Sequence, residues 1–115
     1  EHIHAVRNIE AIAGVSGIDA VLVGPYDLSA SLGRLGQVDH PDVISAIDHV
    51  TQACHAAGVR LGIFGVSADA VKPYIEKGYT LIIAGVDTIM LGQAARSILA
   101  ELKPDALAAA QPARA

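Results

Sequence analysis

The chain has 115 residues, 52% hydrophobic but only 3% aromatic, which suits one modest domain with an aliphatic core and excludes a disordered chain. A net charge of −4 offers no basic surface to a nucleic-acid backbone. No apolar run approaches the roughly 20 residues of a membrane span, no secretory signal pattern is present, and the single cysteine, Cys54, excludes an internal disulfide; a cytoplasmic protein is expected.

The chain opens at Glu1 rather than Met, inside what reads as ordered structure, and is expected to be a partial product. Residues 3–13 predict a helix, with Ile3, Val6, Ile9 and Ala13 on one side, Ile12 at its edge and Glu10 toward solvent. One frame then recurs three times: Gly17 to Gly24 encloses IDAVLV, Gly58 to Gly65 encloses VRLGIF, and Gly78 to Gly85 encloses YTLIIA. Each opening glycine follows a helical pattern, where a residue with positive φ is wanted, and each enclosed run is short, β-rich and nearly continuously apolar. Strands covered on both faces read this way, as in parallel sheets. The closing glycines fall at carboxyl ends of strands, where the backbone turns sharply or meets a ligand.

Between the strands the pattern is helical. Residues 41–57 place Val43, Ile44, Ile47, Val50 and Cys54 on one face, with Pro41 at the first helical position and Asp42 in the first turn. The stretch 68–77 is a weaker helix, because Pro73 lacks an N–H and fits only near a helix start. Residues 87–102 line up Ile89, Met90, Ala94, Ile98 and Leu102, with Asp87 or Thr88 as the cap. Residues 104–115 sustain no pattern and are expected to form a flexible tail. The order α-β-α-β-α-β-α predicts an α/β fold with parallel strands and right-handed crossovers. Three strands do not close a barrel; they are half of one, or a small open sheet.

The richest segment for chemistry is GPYDLSASLG, residues 24–33. It directly follows a buried strand, so Asp27 sits where barrels and doubly wound sheets place their sites. On position alone, Asp, Ser and Gly after a strand are more often a helix cap. It is neither a G-x-x-x-x-G-K-[ST] phosphate loop nor a G-x-G-x-x-G turn. Schiff-base chemistry needs a lysine inside the fold, yet Lys72, Lys77 and Lys103 all fall on or beside helices. The histidines lack metal-ligand spacing: His2 and His4 lie two apart and should point different ways, His40 adjoins a cap, and His49 and His55 fall on helix 41–57. Cys54, on an apolar stripe, reads as a buried inert thiol.

GIDAVLVGPYDLSASLG, followed by the DHPDV helix start, AAGVRLGIFG and KGYTLIIAGVDTIML, closely resembles the HpcH/HpaI class II aldolase family, up to about residue 102. Its members include 2,4-dihydroxyhept-2-enedioate and 2-keto-3-deoxy sugar-acid aldolases. The resemblance implies that residues 1–103 are the C-terminal half of a (β/α)8 TIM barrel, from the end of its fifth strand through its eighth helix. It also implies a divalent ion, Mg2+ or Mn2+, held by one Glu and one Asp. Asp27 matches the Asp of the motif, and counting back puts Glu1 on the Glu position. Two anionic oxygen ligands suit such a hard ion and leave places for water and substrate. Pyruvate would chelate through its carboxylate and keto oxygens, and the cation would stabilise charge developing as the methyl group is deprotonated.

By the same resemblance, backbone N–H groups around Gly24 and Tyr26 would receive the pyruvate carboxylate. Some members carry Ala where Tyr26 stands, so its ring bears on the aldehyde preference. Phe64, closing its strand, is a pocket-lining candidate and equally a core residue. The implied activity joins pyruvate to an aldehyde or cleaves a 4-hydroxy-2-keto acid, in a homo-oligomer, commonly a hexamer. The family's His general base and substrate-contacting Arg come from early strands, so no catalytic residue is expected in this half and this piece alone should be inactive. Two alternatives stand beside this one: a non-catalytic half-barrel that associates through exposed sheet edges, and a lyase of the citrate lyase β-type.

Overall fold

The glycine frame does what its spacing suggests. In a computed structural model, which describes residues 1–103, three short strands form one sheet: β1 (Ala20–Val23), β2 (Arg60–Gly65) and β3 (Leu81–Ala84). The order is β1-β2-β3 and both pairings are parallel, with Val23 opposite Ile63 and Phe64 opposite Ile83. Gly58 ends the helix before β2 with φ of 70°, and Gly78 stands before β3 with φ of 85°; a side chain at either position would be strained. The helices are α1 (Ile3–Arg7), α2 (Ile9–Ala13), α3 (Pro25–Ser31), α4 (Pro41–Ala57), α5 (Ala68–Glu76) and α6 (Asp87–Leu102).

Several elements depart from the sequence reading. The helix expected over 3–13 is two helices, broken at Asn8 (φ −110°, ψ 16°). Its side-chain Nδ2 donates to the His4 carbonyl at 2.7 Å, taking the acceptor that the next helical N–H needs. The apolar stripe survives the break: Val6, Ile9 and Ala13 are buried, while Ile3 and Ile12 are partly so. Helix α3 had no place in the expected element order, although Pro25 at its first position was a legible start signal. Pro73 lies inside α5 rather than at its start, leaving the exposed Asp69 without the bond a fourth-following N–H would give. On α4, Ile44 is 40% exposed, and Ala46 and Thr51 join Val43, Ile47, Val50 and Cys54 in the core instead.

The two sheet faces differ. On one, Val23, Leu61 and Ile63 are buried with Leu28, Val43, Ile47, Val50, Cys54 and Val71 of the helices. Helix α5 approaches so closely at Gly65 that an added Cβ would lie 2.6 Å from Val71 Cγ1, so this closing glycine serves helix packing. The other face carries Leu22, Gly62, Phe64, Leu81 and Ile83 in register. There Leu22, Leu81 and Ile83 are 43%, 45% and 39% exposed, so among the described residues the strands are covered on one face, not both.

By contacts the chain divides into Glu1–Ala84 and a second unit from Gly85 onward. In the second, Val86 is the N-cap of α6 and no side chain caps it; Asp87 Oδ1 instead accepts from the Thr88 N–H at 2.7 Å, in the first turn. None of Ile89, Met90, Ala94, Ile98 and Leu102 is buried. The tail expected over residues 104–115 lies outside the described residues. No helix among the described residues is long and apolar enough to cross a membrane.

Candidate active site

The site grows from the end of β1. Val23 and Gly24 are buried, Pro25 begins α3, and Leu28, only 1% exposed, pins that helix to the core. Tyr26 and Asp27 therefore stand in the first turn of α3, both exposed, just past the carboxyl end of the strand. The N-cap, Gly24, has no side chain to bond the first turn, so the N–H groups of residues 26 and 27 have no side-chain cap.

Glu1 comes to this turn from the other end of the chain segment. An added Cβ on Gly24 would lie 2.9 Å from Glu1 Cγ and 3.1 Å from Glu1 Oε1, so the glutamate stem rests directly over the glycine. Gly24 has an ordinary φ of −107°; the absence of a side chain, rather than backbone freedom, makes room for Glu1. The structure thus brings Glu1 against Gly24, with Tyr26 and Asp27 following at once. Phe64 is half-buried near the carboxyl end of the neighbouring strand, β2.

Two serines of the same motif escaped the sequence reading. Ser29, fully buried, donates to the Tyr26 carbonyl at 2.6 Å and accepts from the Gly36 N–H at 3.0 Å. This ties the loop after α3 beneath Tyr26, whose ring reaches within 3.7 Å of where a Gly36 Cβ would be. Ser31 donates to the Leu28 carbonyl at 2.8 Å and accepts from the Ile3 N–H at 3.1 Å. The available signal was the pair of small hydroxyls near a helix end, where serine commonly bonds to backbone.

The remaining candidates are structural. His2 caps α1 with Nδ1 accepting from the His4 N–H at 3.2 Å, and the two rings meet edge to face at 4.8 Å rather than pointing apart. His40 caps α4, accepting from the Asp42 N–H. His49 lies 3.4 Å from Glu10. Lys77 pairs with Asp48 at 2.7 Å on the surface, and Lys72 and Lys103 are exposed. Cys54 is fully buried, and burial pushes its thiol up, away from the reactive thiolate. No three of His, Cys, Asp and Glu gather to hold a metal among the described residues, so any ion here would rest on two carboxylates, with water and substrate completing its shell. The donor set of Glu1 and Asp27 fits that demand: both offer carboxylate oxygens and both are exposed, Glu1 against Gly24 and Asp27 in the turn that follows it.

Residues 1–94 match the family model described as HpcH/HpaI aldolase/citrate lyase. A hydroxypyruvate/pyruvate aldolase from Chromohalobacter salexigens is 40% identical over 98 residues, covering 85% of this chain and 39% of that protein. A 5-keto-4-deoxy-D-glucarate aldolase from an Enterobacter species is 44% identical over 85 residues, covering 73% of this chain and 33% of its own. The chain thus spans well under half the length of these curated relatives. The crystal structure of an HpcH/HpaI aldolase/citrate lyase family protein from Burkholderia cenocepacia superposes with a TM-score of 0.85 at 43% identity, covering 90% of this chain and 40% of that one.

Proposed function

The chain belongs to the HpcH/HpaI aldolase/citrate lyase family, and on that premise we propose that it supplies the metal-binding part of a class II aldolase acting on pyruvate and an aldehyde. Glu1 and Asp27 would hold a divalent ion, Mg2+ or Mn2+. The observation that carries this reading is the seating of Glu1 over Gly24, which puts a second carboxylate at the turn bearing Asp27. Bound there, such an ion supplies electrophilic stabilisation for negative charge developing on a keto oxygen.

The chain's own residues bind and orient the substrate. The uncapped N–H groups at the start of α3 receive the pyruvate carboxylate. The Tyr26 ring, 56% exposed and backed by Gly36, limits the space left for the aldehyde. Phe64 lines the same end of the sheet. The exposed face of Leu22, Leu81 and Ile83 supports further strands closing a (β/α)8 barrel, which would also contribute the proton-transfer groups this segment lacks.

The test is pyruvate release from a 4-hydroxy-2-keto acid by the complete enzyme, before and after chelation. Turnover should vanish on chelation and return with Mn2+; turnover that persists without metal contradicts the proposal. A second reading, a half-barrel that associates through its edges, has in its favour the edge positions of β1 and β3 and the uncovered Leu22 and Leu81 among the described residues. A scaffold of that kind would bind no Mn2+ and gain no thermal stability from it.

A further inference from the structure

Among the described residues, no hydrogen bond holds the Glu1 carboxylate, yet a two-ligand site tolerates little freedom in either ligand. Glu1 lies just ahead of α1, beyond its N-cap His2, and that five-residue helix is too short to be stable by itself. Its position must be set from outside, and one side chain is placed to do so.

Ser31 stands at the last position of α3. Its single hydroxyl proton is committed to the Leu28 carbonyl at 2.8 Å, which fixes the rotor and aims a lone pair elsewhere. That lone pair takes the Ile3 N–H at 3.1 Å, one of the first-turn donors of α1 that has no partner within its own helix. The link joins residues 28 positions apart in sequence. Leu28, to which Ser31 is tied, is buried in the core and directly follows Asp27. Both carboxylates are thereby referred to one rigid point: Asp27 through its neighbour, and Glu1 through Ile3, Ser31 and Leu28. Gly24 bounds the same glutamate from the other side.

We propose that Ser31 is a positioning residue for the divalent-metal site, acting on the ion solely through the placement of Glu1. The inference rests on the reading of Glu1 and Asp27 as ligands, and the test separates the two. Mn2+ affinity is measured by the electron paramagnetic resonance of free Mn2+, on the complete enzyme and without substrate, so that activity plays no part. Groups that orient a metal ligand contribute about tenfold or more to affinity. Ser31→Ala is therefore expected to weaken Mn2+ binding about tenfold. Ser31→Thr, which keeps the hydroxyl, should stay within about twofold of the parent, whereas Ser31→Val, of nearly the same shape without it, should behave like Ala.

Added to Glu1→Gln, Ser31→Ala should change the affinity no further, because the group it positions has already lost its charge. If Glu1→Gln leaves Mn2+ binding unchanged, the ligand reading itself falls and this inference with it. If Glu1→Gln weakens binding while Ser31→Ala and Ser31→Val match the parent, the inference alone is overturned. Equal losses from Ser31→Ala in the parent and in the Glu1→Gln background also overturn it, since the serine then acts by another route.

Discussion

Gly24 owes its identity to a neighbour in space. Its backbone angles suit any residue, so conformational freedom is no reason for a glycine there, but Glu1 occupies the volume a Cβ would take. The clash would fall on a side chain that can swing away, rather than on backbone. Gly24→Ala should therefore leave thermal stability within about 1 kcal/mol of the parent while displacing Glu1. Mn2+ affinity should fall about tenfold in the same variant. Calorimetry beside a Mn2+ titration checks both halves; unchanged metal binding would remove Glu1 from the site. The place of Tyr26 and Asp27 just past the end of β1 was legible from the sequence, because the motif that carries them is contiguous with the strand. Ser29 and Ser31 were not, because their partners, Gly36 and Ile3, lie in segments that nothing in the linear pattern joins to them.

The elements are joined by a small number of polar contacts, of which Thr51 with Tyr79 is the most deeply placed. The Thr51 hydroxyl lies 2.8 Å from both the Ile47 carbonyl and the Tyr79 hydroxyl, linking α4 to the segment entering β3. Burial pushes the Tyr79 phenol up to about 12 from an ordinary 10, and the Thr51 hydrogen bond only partly opposes it. The folded state keeps its proton where the unfolded chain has lost it. The stabilisation is complete below pH 10 and declines as pH rises toward 12, by about 2–3 kcal/mol in all. Denaturant titrations at pH 9.5 and 11.5 should show the larger part of that loss, and Tyr79→Phe should reduce it; a parent that keeps its stability between those values contradicts the account. At this scale the three strands and α4 followed from glycine spacing and apolar period. The break at Asn8 did not, because it turns on a side chain bonding a carbonyl four residues back, which composition does not reveal. Pro73 was likewise misplaced: α5 is solvent-facing enough to tolerate an interior proline, a property of its packing.

Across the whole chain, the parallel order was legible because apolar runs that short, separated by helical patterns, admit few other arrangements. Which sheet face stays open was not, since a nearly continuous apolar run marks both faces alike for burial and does not say which one the helices of this chain cover. Leu22, Leu81 and Ile83 mark the uncovered side, at the end of which the Glu1 and Asp27 turn sits. The central claim, that these two carboxylates share one divalent ion, is tested most directly by crystallography of the complete enzyme with Mn2+ and a pyruvate mimic. Anomalous scattering should place manganese about 2.0–2.4 Å from an oxygen of each, with the mimic's carboxylate toward the start of α3. Manganese bound elsewhere, or held by Asp27 with Glu1 turned away, would contradict the account.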